Sequence, residues 1–106
     1  MQNMRNLLLL ILFAAVNAQA ADVPKHRVEP KDGLVPDAGT AISIAVAVWT
    51  PIYGASKLEQ ERPFVATLKN GVWYVEGSLP KDWVGGVAEA EISKKDARVL
   101  RISHGK

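Results

Sequence analysis

The chain has no cysteine, only two histidines, and no excess of either charge. Without cysteine there is no disulfide staple, so the fold must hold by packing alone, and no lipobox thiol exists for lipid attachment. His26 and His104 stand far apart without metal-ligand spacing, which argues against a metal site. Thirteen Lys and Arg against eleven Asp and Glu, with no basic cluster interleaved with aromatics, gives no footprint for nucleic acid. There is no G-x-S-x-G, and no serine has a nearby base with an orienting acid. Internal repeats and low-complexity tracts are also missing.

The one long apolar run lies at the start. Arg5 and the amino terminus precede Leu7 to Val16, and Ala18-Gln19-Ala20 follows as a small-x-small cleavage site. That order reads as a secretory signal peptide over residues 1–20, cut after Ala20. The run is about half of the roughly 20 residues that span a bilayer, so an uncleaved anchor is the weaker reading and no membrane association is expected after cleavage. With Arg5 removed, twelve Lys and Arg face eleven Asp and Glu. An exported chain with this N-terminus is expected in the periplasm. The remainder is enough for one domain and too short for two. Residues 21–34 mix charge, Pro24, Pro30 and Gly33 without a hydrophobic period and read as a loose, extended leader. A single domain over 35–106 follows.

Pro36 to Gly54 reads as a helix, with Asp37 as N-cap and Gly54 beyond its end. Ala38, Ala41, Ile42, Ala45, Val48, Trp49, Ile52 and Tyr53 form its apolar stripe. Pro51 either ends or kinks it, and the unbroken period favours a kinked continuation to Tyr53. Ile44, Val46 and Ala47 interrupt the far side, so either the sheet curls round the helix or another chain meets it. Ser56-Lys57-Leu58-Glu59 has the spacing of a capping box for a short helical turn, with Leu58 as its anchor.

Phe64–Lys69 and Val72–Glu76 are separated only by Asn70-Gly71, the strongest short signal for a type I′ hairpin. The two-residue loop sets Lys69 opposite Val72, Leu68 opposite Trp73 and Ala66 opposite Val75. Phe64, Ala66, Leu68, Trp73 and Val75 then share a core face. Gly77 to Gly86 is a loop holding Trp83-Val84. Val87–Ser93 and Val99–His104 complete the strands, with Ala88, Ala90, Ile92, Leu100 and Ile102 inward. The expected architecture is α+β: one long N-terminal helix packed on a curved four-stranded antiparallel sheet.

Val35-Pro36-Asp37-Ala38, Trp49-Thr50-Pro51-Ile52-Tyr53-Gly54 and Arg62-Pro63-Phe64 occur in that order. They are followed by Gly71 through Pro80, Gly85-Gly86, Ser93 through Leu100, and His104-Gly105-Lys106. In this spacing the chain resembles the NTF2-fold immunity proteins of bacterial polymorphic toxin systems, including those beside Rhs elements, from about Leu34 to Lys106. The resemblance implies a helix-and-sheet cone, no catalysis, no cofactor, and a partner that is a cognate toxin domain neutralised by binding. Ala97 departs from it, standing where a turn glycine is expected. The resemblance transfers no binding site.

Candidate contact residues therefore come from chemistry. Trp83, between Asp82 and Gly85-Gly86, is either a lid over the sheet end, the favoured reading, or an exposed hot spot. Tyr74, Glu76, Glu89, Glu91 and Arg101 share the other sheet face and form a second candidate surface. Glu89 and Glu91 could serve acid–base chemistry, but a solvated face paired with Arg101 and Lys69 explains them better. Trp49 and Trp73 read as core. The competing class is a small NTF2-like or cystatin-like module that binds a ligand or inhibits a hydrolase. An enzyme ranks third, and a buried acid beside Tyr53 or Tyr74 would revive it. The apolar back of the helix makes a homodimer worth testing.

Overall fold

A computed structural model describes residues 26–105. The expected signal peptide and the first part of the expected leader lie outside the described residues. Two helices, α1 (Ala38–Tyr53) and α2 (Ala55–Gln60), precede four strands: β1 (Val65–Lys69), β2 (Val72–Glu76), β3 (Ala88–Ser93) and β4 (Val99–His104). The strands form one antiparallel sheet in the order β1-β2-β3-β4.

Local chemistry sets the ends of α1. Asp37, in extended conformation, accepts a hydrogen bond from the Thr40 amide at 2.7 Å and from the Thr40 hydroxyl at 2.8 Å. Chiefly through the amide, these bonds hold the Asp37 carboxyl below the usual aspartate value of 3.8. At the other end Gly54 has φ 90° and its amide donates to the Thr50 carbonyl, so the left-handed step falls where glycine tolerates it. Pro51 sits inside the helix, which runs on to Tyr53 as its apolar period requires. Ser56 does not cap α2: the helix starts one residue earlier, at Ala55, because the turn at Gly54 already redirects the chain.

Asn70 (φ 51°) and Gly71 (φ 76°) make the two-residue turn, and the hairpin register follows from it: Lys69 opposite Val72, Leu68 opposite Trp73, Ala66 opposite Val75. α1 lies across β1, β2 and β3. Its Ala41, Ala45 and Trp49 meet Val75, Ala88, Ala90 and Ile92, and all seven are buried. Alanine on both sides of the interface lets the helix come close, while Trp49, Ile92 and Val75 supply the volume. Ile44 and Val46, on the far side of α1, are half-buried against this same core. The back of the helix is therefore met largely within the chain, whereas Ile52, assigned to the buried stripe, is exposed.

Further expectations need correction. Leu68, placed on the core face, is exposed near the hairpin turn. The leader is not loose throughout: the amides of Leu34 and Val35 donate to the carbonyls of Lys95 and Lys94, each at 3.0 Å. Val35 is fully buried, and its carbonyl accepts the Trp73 indole N–H at 2.9 Å. The docked segment thus satisfies a buried indole that otherwise has no partner. In β4, a bulge between Glu91 and Ile92 pairs Arg101 with Glu91 but Val99 with Ile92. Leu100, expected inward, is the extra residue and is exposed. Ala97 in the preceding turn has φ 64°, the left-handed conformation for which glycine was expected.

Candidate partner-binding surfaces

The structure divides the candidate residues between two places. Five share the sheet face opposite α1. One row across the sheet runs Val65–Glu76–Glu89–Ser103, and the next runs Thr67–Tyr74–Glu91–Arg101. Arg101 bridges two carboxylates, with its Nη1 at 3.3 Å from both Glu89 Oε2 and Glu91 Oε2. Ser103 Oγ adds a hydrogen bond to Glu89 Oε2 at 3.0 Å. Glu76 lies opposite Glu89, so the row stays acidic although Arg101 offsets part of it. These side chains are partly in water, and each pair is worth under about 1 kcal/mol. The expected solvated, paired face is what is found, with Arg101 and not Lys69 as the cation among the described residues.

Trp83 lies elsewhere, at the end of the sheet on the α2 side. It is not a lid. Its side chain is 60% exposed and Val84 beside it is 100% exposed. The turn from Pro80, whose carbonyl accepts the Trp83 amide at 3.1 Å, and positive φ at Asp82 (69°) and Gly85 (141°) shape a tip that leaves both side chains in water.

The space a lid would cover is filled from another direction. Glu61, just after α2, is 5% exposed and is the buried charged residue of the described chain. Its Oε1 accepts the Ala88 amide at 2.7 Å, its carbonyl accepts the Ser78 amide at 2.7 Å, and its Oε2 lies 3.0 Å from His104 Nε2. A Cβ on Gly77 would come within 2.7 Å of Glu61 Oε1, so only glycine lets the carboxylate in. His104 stacks on Tyr53, with ring centroids 5.2 Å apart and planes at 57°. Sequence reasoning missed Glu61 entirely. Its partners lie 27 and 43 residues away, and no local pattern announces them.

A buried acid near Tyr53 is the feature that would revive an enzyme reading, and Glu61 is such an acid. Its contacts fasten the chain: Oε1 holds the Ala88 amide, Oε2 faces His104 Nε2, and His104 Nδ1 lies 2.7 Å from the Gly105 carbonyl. The cluster staples backbone.

Beside it, between α2 and the 80–86 loop, lies a hollow of about 310 Å³ bordered by Lys57, Gln60, Trp83 and His104. A second, of about 470 Å³, lies between the leader and the turns at Gly71 and Lys94–Asp96. Neither lies between α1 and the sheet. Among the described residues no three His, Cys, Asp or Glu side chains gather as metal ligands would.

Comparison with known proteins agrees with the architecture. The chain is 36% identical over 74 residues to a protein of Escherichia coli (strain K12) described only as uncharacterized protein YhhH, covering 69% of this chain and 58% of that one. It is 42% identical over 55 residues to uncharacterized protein YbbC of the same organism, covering 51% and 45%. The chain thus spans about half the length of these relatives. No solved structure matches significantly. The family described as NTF2 fold immunity protein matches residues 40–106, from the first turn of α1 to the last residue. With one helix laid over a four-stranded antiparallel sheet across that same span, the chain belongs to the NTF2-fold immunity proteins.

Proposed function

We propose that this protein is exported to the periplasm and neutralises a cognate bacterial toxin domain by binding and occluding it, without chemistry of its own. Family membership carries the reading, since the family's description is of immunity. The fold is in keeping with it. The interface between α1 and the sheet is packed with Ala, Val, Ile and Trp, and the buried acid and imidazole are spent on backbone and on each other. What faces water is contact chemistry: an acidic row beside Tyr74 that can steer a basic partner, and an exposed tryptophan. The N-terminal pattern of Arg5, Leu7–Val16 and Ala18-Gln19-Ala20 supports the periplasm as the place of action.

Co-expression with the toxin domain encoded beside its gene tests this. Growth should be rescued by the full chain and lost when residues 1–20 are deleted. Absence of rescue in both forms, with no complex in a pull-down, would sink the immunity reading. Rescue by both would relocate the action to the cytoplasm.

A further inference from the structure

We propose that the Pro80–Gly86 loop is the element that meets the toxin, with Trp83 as an apolar anchor in a socket on the toxin surface. Glu61 is the positioning residue that holds this loop ready. This deepens the immunity reading and rests on it.

The loop combines a tip with no partner and stems that are pinned. At the tip, Trp83 and Val84 are consecutive and face water. A tryptophan offers some 150–250 Å² to bury, and it is among the residues that dominate interface energetics. At the stems, the Gly77 amide donates to the Ala88 carbonyl at 3.0 Å, Ser78 Oγ donates to the Pro63 carbonyl at 2.6 Å, and the Gly105 amide donates to the Val87 carbonyl at 3.1 Å. Glu61 joins the two sides. Its own carbonyl takes the Ser78 amide, its carboxylate takes the Ala88 amide, and the same carboxylate ties both to β4 through His104. An apolar tip whose stems are fixed loses less freedom on contact than one on a loop with free ends.

The sheet face competes poorly for this role. Its Arg101 is already engaged by Glu89 and Glu91, so a toxin must break or share those contacts to use them. Trp83 has no such tie, and its ring stands largely in water. Lys81 and Asp82 beside the tip offset each other, so no net positive charge draws it to an anionic membrane, and membership of an immunity family favours a toxin's surface as the occupant.

The test is a double-mutant cycle on the full chain, with the toxin domain encoded beside its gene as titrant and affinity read by calorimetry. Trp83→Ala should weaken binding about 30-fold or more, the loss expected of a hot spot. Glu61→Ala, buried and away from the toxin, should weaken it about 10-fold, and in the Trp83→Ala background it should add less than about 2-fold. Glu61→Gln keeps the shape and an oxygen for the Ala88 amide, so it should bind closer to wild type than Glu61→Ala. Additive losses would reduce Glu61 to a general stabiliser and overturn its positioning role. Wild-type binding that Trp83→Ala leaves within about 3-fold would overturn the loop as the interface while the immunity reading stood. Loss of vesicle binding alone in Trp83→Ala, measured with phosphatidylglycerol vesicles, would assign the tip to a membrane instead. No binding by wild type would fell the immunity reading itself. Should Glu61→Ala fail to fold, His104→Ala takes its place in the same cycle.

Discussion

Replacing Trp49 by alanine is expected to leave the domain unfolded at room temperature. The ring is fully buried under α1, tilted against Phe64 with centroids 5.5 Å apart, and its indole N–H reaches the Glu89 carbonyl at 3.2 Å. Truncating a buried tryptophan costs about 3–5 kcal/mol, part transfer and part cavity. A core of this size without a disulfide supplies only about 3–5 kcal/mol in all. The loss therefore matches the whole stability. Far-UV circular dichroism of Trp49→Ala should show a disordered chain, with no cooperative urea transition. Trp49→Phe keeps most of the volume and should still fold at a lower urea midpoint. A cooperative transition for Trp49→Ala near that of wild type would mean that α1 is not seated on this residue.

Gly86→Ala is the second large effect, and it acts by overlap. A Cβ at Gly86 would fall inside van der Waals contact with the Gly105 carbonyl and Cα carbons, which are backbone and cannot swing aside. The end of β4 would have to move, opening the Gly105–Val87 hydrogen bond and drawing His104 off Glu61. The cost should reach about 3 kcal/mol, the upper end of overpacking penalties. Thermal denaturation should show Gly86→Ala melting many degrees below wild type. Gly105→Ala, whose Cβ would meet Gly86 Cα at 3.0 Å, should be milder. Equal melting of Gly86→Ala and wild type would show that the two glycines do not cross as described.

What was legible in the sequence was what short-range chemistry decides. Asn70-Gly71 announced its turn and set the register of β1 on β2, because a two-residue loop leaves no slack. Asp37 and Gly54 marked the ends of α1, and the apolar period carried the helix through Pro51. What stayed hidden depended on contacts distant in sequence. The β4 bulge at Leu100 has no local signature, since the alternation of Val99 to Ser103 reads as a regular strand. The docking of Val35 depends on an indole 38 residues away. Trp83 read better as a lid, and it protrudes instead: Glu61 fills the sheet end, and positive φ at Asp82 and Gly85 shapes a loop that leaves the ring 60% exposed. The sheet-face candidates came together in one surface because strand alternation is short-range. Trp83 did not join them, because its loop leaves the sheet on the α2 side.

The central claim is neutralisation by occupancy and not by turnover. Titrating a fixed amount of the purified toxin domain with this protein, and reading residual toxin activity at each ratio, tests it most directly. Occlusion predicts a linear fall to zero that ends near one equivalent, unchanged by longer incubation. Protection far below one equivalent, deepening with time, would reveal a catalyst and contradict the account.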